Sequence, residues 1–237
     1  IITTVFLEKR RKARKKMDHI QYAKNVLDPY MRQDLKILLT RHCYEVPHYN
    51  FAYKGEAPTN FIEQVIRHVV GDTHHIEYWA RNQIHHCLWH VDGNELEQKR
   101  DWIRHGGYDP DQNVEFPLNT HVLYVNINPK MEGGKLLLCP YNTYIEGRGI
   151  LDETYEPLEG SRIMEIAPVE NDMVIWDKPI YHAVGKVENP EEITYRISLM
   201  FSAWDKIPAM YEKHRHWTTY DMEKNLEPQP MEFNLTL

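Results

Sequence analysis

The chain has little cysteine, and what it has is badly placed for cross-linking. Cys43, Cys87 and Cys139 are odd in number and widely spaced. That excludes a disulfide framework and a CxxC zinc knuckle, and the expected setting is a reducing, cytoplasmic one. Long apolar runs are also missing: none approaches the roughly 18 residues that a membrane helix needs. No internal repeat or low-complexity segment interrupts the 237 residues. With 42% hydrophobic residues there is enough apolar material for a core, and the length fits a single domain.

Charge is unevenly spread. Residues 8–16, EKRRKARKK, hold seven basic residues and one acidic residue, a net of +6 in a chain whose total is −7, so the remainder carries −13. The arm has no interleaved aromatics and reads more readily as a solvated helix face than as a nucleic-acid grip. An acidic body argues against a broad nucleic-acid surface. The expected partner is a small-molecule or peptide substrate.

Residues 1–80 read as a helical region. Asp28–Pro29 is a helix start, and Met31, Leu35, Leu38 and Leu39 recur at helical spacing behind it. Asn60 with Glu63 forms a capping-box pattern before Phe61, Ile62, Val65, Ile66 and Val69, and Gly71 supplies the stop. From about residue 82 the period changes to that of strands: IHHCLWH, THVLYVNI, KLLLC, RIMEI, DMVIW, YHAVGKV and TYRISLMFSAW. The composite is mainly β (α+β): a jelly-roll or barrel core over 81–206, supporting helices before it, and a tail at 207–237 packing on the core. Two long connections, 93–117 and 141–161, are expected to bind substrate through residues drawn from Trp102, Arg104, His105, Tyr108, Arg148 and Tyr155.

Within LWHVDGNE, His90 and Asp92 lie two apart and share a face if the segment is a strand. Such a pair binds a metal, forms a hydrogen bond, or is an accident. His182, on a later strand, supplies the third member of a two-histidine, one-carboxylate set. That set leaves positions open on one side of a six-coordinate metal, which suits non-heme Fe(II). A structural zinc site wants four filled ligands. His86 also shares the His90 face in a regular strand, and reads as a satisfied core histidine more readily than as a hydrogen-bond donor lining the pocket. On TYRISLMFSAW, Arg196, Ser198 and Met200 alternate with Ile197, Leu199 and Phe201. If the second set packs outward, Arg196 and Ser198 point into the core, where a guanidinium needs an anion: an internal carboxylate or a bound one.

Taken in order, HVD at 90–92, His182, the Arg196–Ser198 pair fourteen residues later, and LYVNINPKMEGGKLLL resemble the Fe(II)- and 2-oxoglutarate-dependent oxygenases, in particular their prolyl-hydroxylase-like members, over about 84–203. The resemblance implies a double-stranded β-helix, with His90, Asp92 and His182 as ligands of Fe(II). It implies Arg196 as the partner of the far carboxylate of 2-oxoglutarate, with Ser198 and Tyr124 as helpers. The implied activity is a dioxygenase that uses O2 to hydroxylate an unactivated C–H, releasing succinate and carbon dioxide. A cupin-like metalloenzyme without 2-oxoglutarate and a non-catalytic binding module are the rival readings.

Overall fold

The structure is a computed structural model, and it describes residues 19–43, 50–93, 115–139, 161–177, 179–193 and 195–208. Ten strands, two α-helices and one short 3-10 helix (Pro190–Glu192) lie there. The strands are β1 (Ile20–Ala23), β2 (Asn50–Ala52), β3 (His75–Asn82), β4 (Cys87–His90), β5 (Asn119–Ile127), β6 (Leu136–Cys139), β7 (Met164–Ile166), β8 (Met173–Trp176), β9 (Tyr181–Val184) and β10 (Arg196–Trp204). The helices are α1 (Pro29–His42) and α2 (Phe61–Val70). A six-stranded sheet runs β1-β8-β5-β10-β3-β2 and a four-stranded sheet runs β4-β9-β6-β7. Every strand pair is antiparallel. Among the described residues no helix is long and apolar enough to cross a membrane.

Both helices begin where the capping residues lead one to expect. Asp28 accepts hydrogen bonds from the Tyr30 and Met31 amides, and Pro29 occupies the first turn, where a missing N–H costs nothing. The Asn60 side chain accepts from the Glu63 amide at 2.9 Å. Glu63 reaches back one residue further than a capping box does and accepts from the Thr59 amide at 2.7 Å. Gly71 ends α2 at φ 78, in the left-handed region that favours glycine.

The sheet begins earlier in the chain than the sequence pattern indicates. β1, β2 and most of β3 fall inside residues 1–80, and all three belong to the six-stranded sheet. Residues 1–80 are therefore not purely a helical support. β3 pairs with β10 over eight residues, so it is central to the sheet. β1 is tied on through Asp172, whose carboxylate accepts from Tyr22 Oη at 2.5 Å and from the Asn25 amide at 3.0 Å.

Alternation along β10 organises two cores. Ile197, Leu199, Phe201 and Ala203 join Leu35, Leu39, Val65 and Ile66 of the helices in one cluster. Between the sheets, Val122, Tyr124, Val174 and Trp176 pack against Leu136 and Leu138, with Met200 at the margin. Gly133 and Gly134, at φ 77 and 61, turn the chain into β6. A Cβ on Gly133 would collide with the Lys186 carbonyl, so glycine is required there by both torsion and space.

His121 gives the fold a pH dependence of calculable sign. Its ring stacks on Phe201 at 4.5 Å, and its Nδ1 donates to the Phe201 carbonyl at 3.2 Å. Burial pushes it down to about 4, with the Phe201 carbonyl opposing. The unfolded chain therefore takes up this proton from about pH 6.5 downward while the folded chain refuses it until about 4. Stability should fall across that window by about 2–3 kcal/mol from this group. In urea titrations between pH 7 and 4, His121→Phe should show a shallower loss than wild type; identical slopes would refute the assignment.

Candidate metal and anion site

His90 closes β4, Asp92 follows it, and His182 sits on β9 directly opposite His90 in the antiparallel register. The register shifts between Cys87 and His90, and such an irregularity re-aims side chains at a strand end. Trp89 packs on the opposite face with Cys139 and Ala183, so the alternation expected for LWHVD is present. One ligand atom from each of His90, Asp92 and His182 lies within 4.8 Å of the others. Asp92 Oδ1 is 3.8 Å from His90 Nε2 and 3.6 Å from His182 Nε2.

Backbone carbonyls orient both imidazoles. His90 Nδ1 donates to the Leu88 carbonyl at 2.8 Å, and His182 Nδ1 donates to the Ile180 carbonyl at 2.9 Å. A carbonyl only accepts, so in the neutral form of each ring the bond keeps the proton on Nδ1 and leaves Nε2 with a lone pair, and both Nε2 atoms face Asp92. Asp92 Oδ2 is buried and has no hydrogen-bond partner. With His90 unprotonated, Asp92 Oδ1 facing both Nε2 atoms and Oδ2 left unpaired make a costly cluster of acceptors. A cation resolves it. The donor set of two nitrogens and one carboxylate fits a borderline divalent metal such as Fe(II).

Burial pushes His182 down to about 4, the Asp92 carboxylate opposing and His90 reinforcing, so its ring is neutral near pH 7 and ready to ligate. His90 differs. Burial works against its charge. The Cys87 thiol at 3.9 Å, the Asp92 carboxylate and the Leu88 carbonyl outweigh that and lift it to about 9. The ring keeps 45% of its side-chain surface open, so the group of three is reached from the His90 side.

Arg196 is 2% exposed, on the inter-sheet face of β10. Its Nε donates to the Gly134 carbonyl at 2.9 Å, and its guanidinium carbon is 5.8 Å from the centre of the Tyr124 ring. Among the described residues no carboxylate lies within ion-pair distance of it. Burial lowers its proton affinity, opposed by Tyr124 and Cys87. Ser198, directly opposite Tyr124 in the β10–β5 register, shares that face. The Ser198 Oγ and the Tyr124 hydroxyl are both buried without a hydrogen-bond partner. A desolvated guanidinium and two orphaned hydroxyls on one sheet face are built to receive an anion.

The structure thus groups His90, Asp92 and His182, and separately groups Arg196, Ser198 and Tyr124. Trp176 joins the two: its ring lies 5.0 Å from His182 and it packs in the Tyr124 cluster. His86 is exposed and precedes β4, which overturns its reading as a core histidine. The strand starts one residue after it, so His86 has no inward face to occupy. Trp102, Arg104, His105, Tyr108, Arg148 and Tyr155, the basic arm at 8–16 and most of the tail lie outside the described residues. Sequence reasoning missed the carbonyls of Leu88, Ile180 and Gly134, which no side chain advertises. It also missed Asn82, whose Oδ1 accepts from the Arg196 amide at 2.8 Å.

No family model matches the chain, and no curated protein matches it. Solved structures resemble it. A prolyl-4-hydroxylase from Pseudomonas putida aligns over 87% of this chain and 100% of its own, at 13% identity and a TM-score of 0.45. An oxidoreductase of the 2OG-Fe(II) oxygenase family from Burkholderia pseudomallei aligns over 86% and 91%, at 12% identity and 0.45. The non-heme alpha-ketoglutarate-dependent epimerase SnoN of nogalamycin biosynthesis aligns over 85% and 84%, at 12% identity and 0.49. What the site does follows from the side chains described above.

Metal binding is directly measurable. Mn(II) or Fe(II), titrated anaerobically, should bind one per chain and raise the melting temperature. Asp92→Ala and His182→Ala should each weaken binding by more than about 100-fold and abolish the thermal shift. Cys43→Ser should leave both intact. An undiminished shift in Asp92→Ala would rule the group out as a metal site.

Proposed function

We propose that the chain is an Fe(II)- and 2-oxoglutarate-dependent dioxygenase that hydroxylates an unactivated C–H of a small-molecule or peptide substrate. The observation that carries the reading is the buried Arg196 without a carboxylate partner among the described residues, flanked by the orphaned hydroxyls of Tyr124 and Ser198. A metalloenzyme without an anionic cosubstrate has no use for that arrangement. The two facing antiparallel sheets are read as the double-stranded β-helix core of such enzymes.

His90 and His182 would hold the metal through Nε2 and Asp92 through its carboxylate, all from one side, leaving the other positions for ligands. Arg196 would grip the far carboxylate of 2-oxoglutarate with the ends of its fork while Gly134 keeps its Nε in place. Tyr124 and Ser198 would each donate one hydrogen bond to the same carboxylate. Trp176 and Ile180, both nearly fully buried, keep water from the His182 side. When bound, Fe(II) with 2-oxoglutarate supplies the oxidation of a C–H bond by dioxygen, with succinate and carbon dioxide released.

The test is an anaerobic titration of metal-free protein with Fe(II) and then 2-oxoglutarate. A weak visible charge-transfer band should require both additions. Arg196→Gln should weaken 2-oxoglutarate at least about 100-fold with Fe(II) affinity unchanged, and Tyr124→Phe and Ser198→Ala by about 10-fold each, as expected for hydrogen bonds to a charged group. Fe(II) uptake without the band would replace this reading with the cupin-like one, and no Fe(II) uptake with the binding module.

A further inference from the structure

Along β9 and just past it the site is laid out in steps. His182, Val184 and Lys186 are two apart, about 7 Å per step in an extended chain. His182 stands opposite His90 on β4 and Leu138 on β6. Val184 stands opposite Cys87 on β4 and Leu136 on β6. The Lys186 carbonyl accepts from the Gly134 amide, and the Gly134 carbonyl in turn accepts from Arg196 Nε. The metal group is therefore at one end of this run and the anchored guanidinium at the other. Between them lies the row Cys87–Val184–Leu136.

That middle row faces the inter-sheet space. Leu136 packs there in one cluster with Tyr124, and Val184 shares the face of His182, as residues two apart on a strand do. Cys87 is three residues from His90, and the register shift between them absorbs the extra residue, so both side chains reach one face. The Cys87 Sγ accordingly lies 3.9 Å from His90 Nδ1. Cys87 also acts electrostatically on Arg196. The path across this row is built for a ligand on grounds independent of the thiol. Tyr124 Oη and Ser198 Oγ, both nearly fully buried, have no hydrogen-bond partner among the described residues. A dicarboxylate reaching from the metal group to Arg196 has to pass the thiol.

We infer that Cys87 is a modification site: a mixed disulfide formed there with a small disulfide closes the path to 2-oxoglutarate and leaves the metal ligands free. This rests on the oxygenase reading, which puts 2-oxoglutarate between the metal and Arg196. In the exchange the Cys87 sulfur bonds one sulfur of the small disulfide, whose own S–S bond breaks, and the leaving thiol takes the proton. Cys87 is only partly buried, whereas Cys139 is fully buried and Cys43 lies at the end of α1 against the helix-side core. Metal binding is spared because the thiol sits beside Nδ1 of His90, while Nε2 is the atom that faces Asp92. The reduced thiol admits the cosubstrate, so use of 2-oxoglutarate follows the thiol–disulfide balance around the protein.

The probe is methyl methanethiosulfonate, which leaves a methylthio group on sulfur and releases methanesulfinate. Full-length Cys43→Ser protein is treated without ligands, and peptide mass spectrometry should find the adduct at Cys87. Calorimetry with Zn(II) and then 2-oxoglutarate needs no turnover. The adduct should weaken 2-oxoglutarate at least tenfold, keep Zn(II) affinity within threefold, and be reversed by dithiothreitol. Conversely, 2-oxoglutarate with Zn(II) should slow labelling of Cys87 at least tenfold beyond Zn(II) alone. With Cys87→Ser added, 2-oxoglutarate affinity should be the same before and after treatment. No adduct at Cys87, unchanged 2-oxoglutarate affinity in the adduct, or a loss that persists in Cys87→Ser overturns the proposal. So does a matching loss of Zn(II) affinity, which would make the adduct a general disruption of the site. If untreated protein binds no 2-oxoglutarate, the oxygenase reading falls instead. Slowing of Cys87 labelling by succinate on metal-free protein then decides whether the thiol lines the path to Arg196.

Discussion

A guanidinium that is 2% exposed has to be built around, and β10 is the element that does so. Its odd-numbered side chains from Ile197 to Ala203 are committed to the helix-side core. Its even-numbered ones are therefore forced to the space between the sheets. Arg196 cannot turn away without dragging the whole strand out of register, because a slip of one residue would exchange the two faces. Pairing on both sides, to β5 and β3, makes such a slip costlier still. The place of the candidate anion site thus follows from the packing of β10, which gives the fork a fixed position before any ligand arrives.

The metal group is constructed differently. Its histidines are aimed by single carbonyl bonds two residues back in the chain, a local device that repeats on two strands. Register across β4 and β9 then brings the rings together, 4.2 Å between centres. The two sites draw on different physics, global packing for Arg196 and local backbone geometry for the histidines. A core substitution would therefore disturb the anion site before it disturbed the imidazoles.

Much of this was legible in the residues. Helix starts at Asp28 and Asn60 were readable because capping is local chemistry. His90, Asp92 and His182 were readable because strand alternation is local too, and Arg196 with Ser198 because the partition of β10 is written in its apolar positions. The strands β1, β2 and β3 were not. The first two are four and three residues long, too short to establish a period. β3 does alternate, with Ile76, Tyr78 and Ala80 on one face, but its other face carries Glu77, Trp79 and Arg81, a polar and aromatic set that hides a central strand. The role of Asp172 in fastening β1 depends on Tyr22, 150 residues away, and no local pattern announces such a partner.

The position of β4 has a consequence of its own. It is four residues long and, among the described residues, lies at the edge of the smaller sheet and pairs with β9 alone. A short border strand frays more readily than an interior one, and two of the three candidate ligands are on it or just past its end. An ion gripped by His90, Asp92 and His182 would act as a clasp across β4 and β9, closing the sheet where backbone pairing is thinnest. Amide exchange along 87–92 then becomes a gauge of metal occupancy, fast while the clasp is open and slow once it is shut, with the buried strand β10 serving as an unchanging reference.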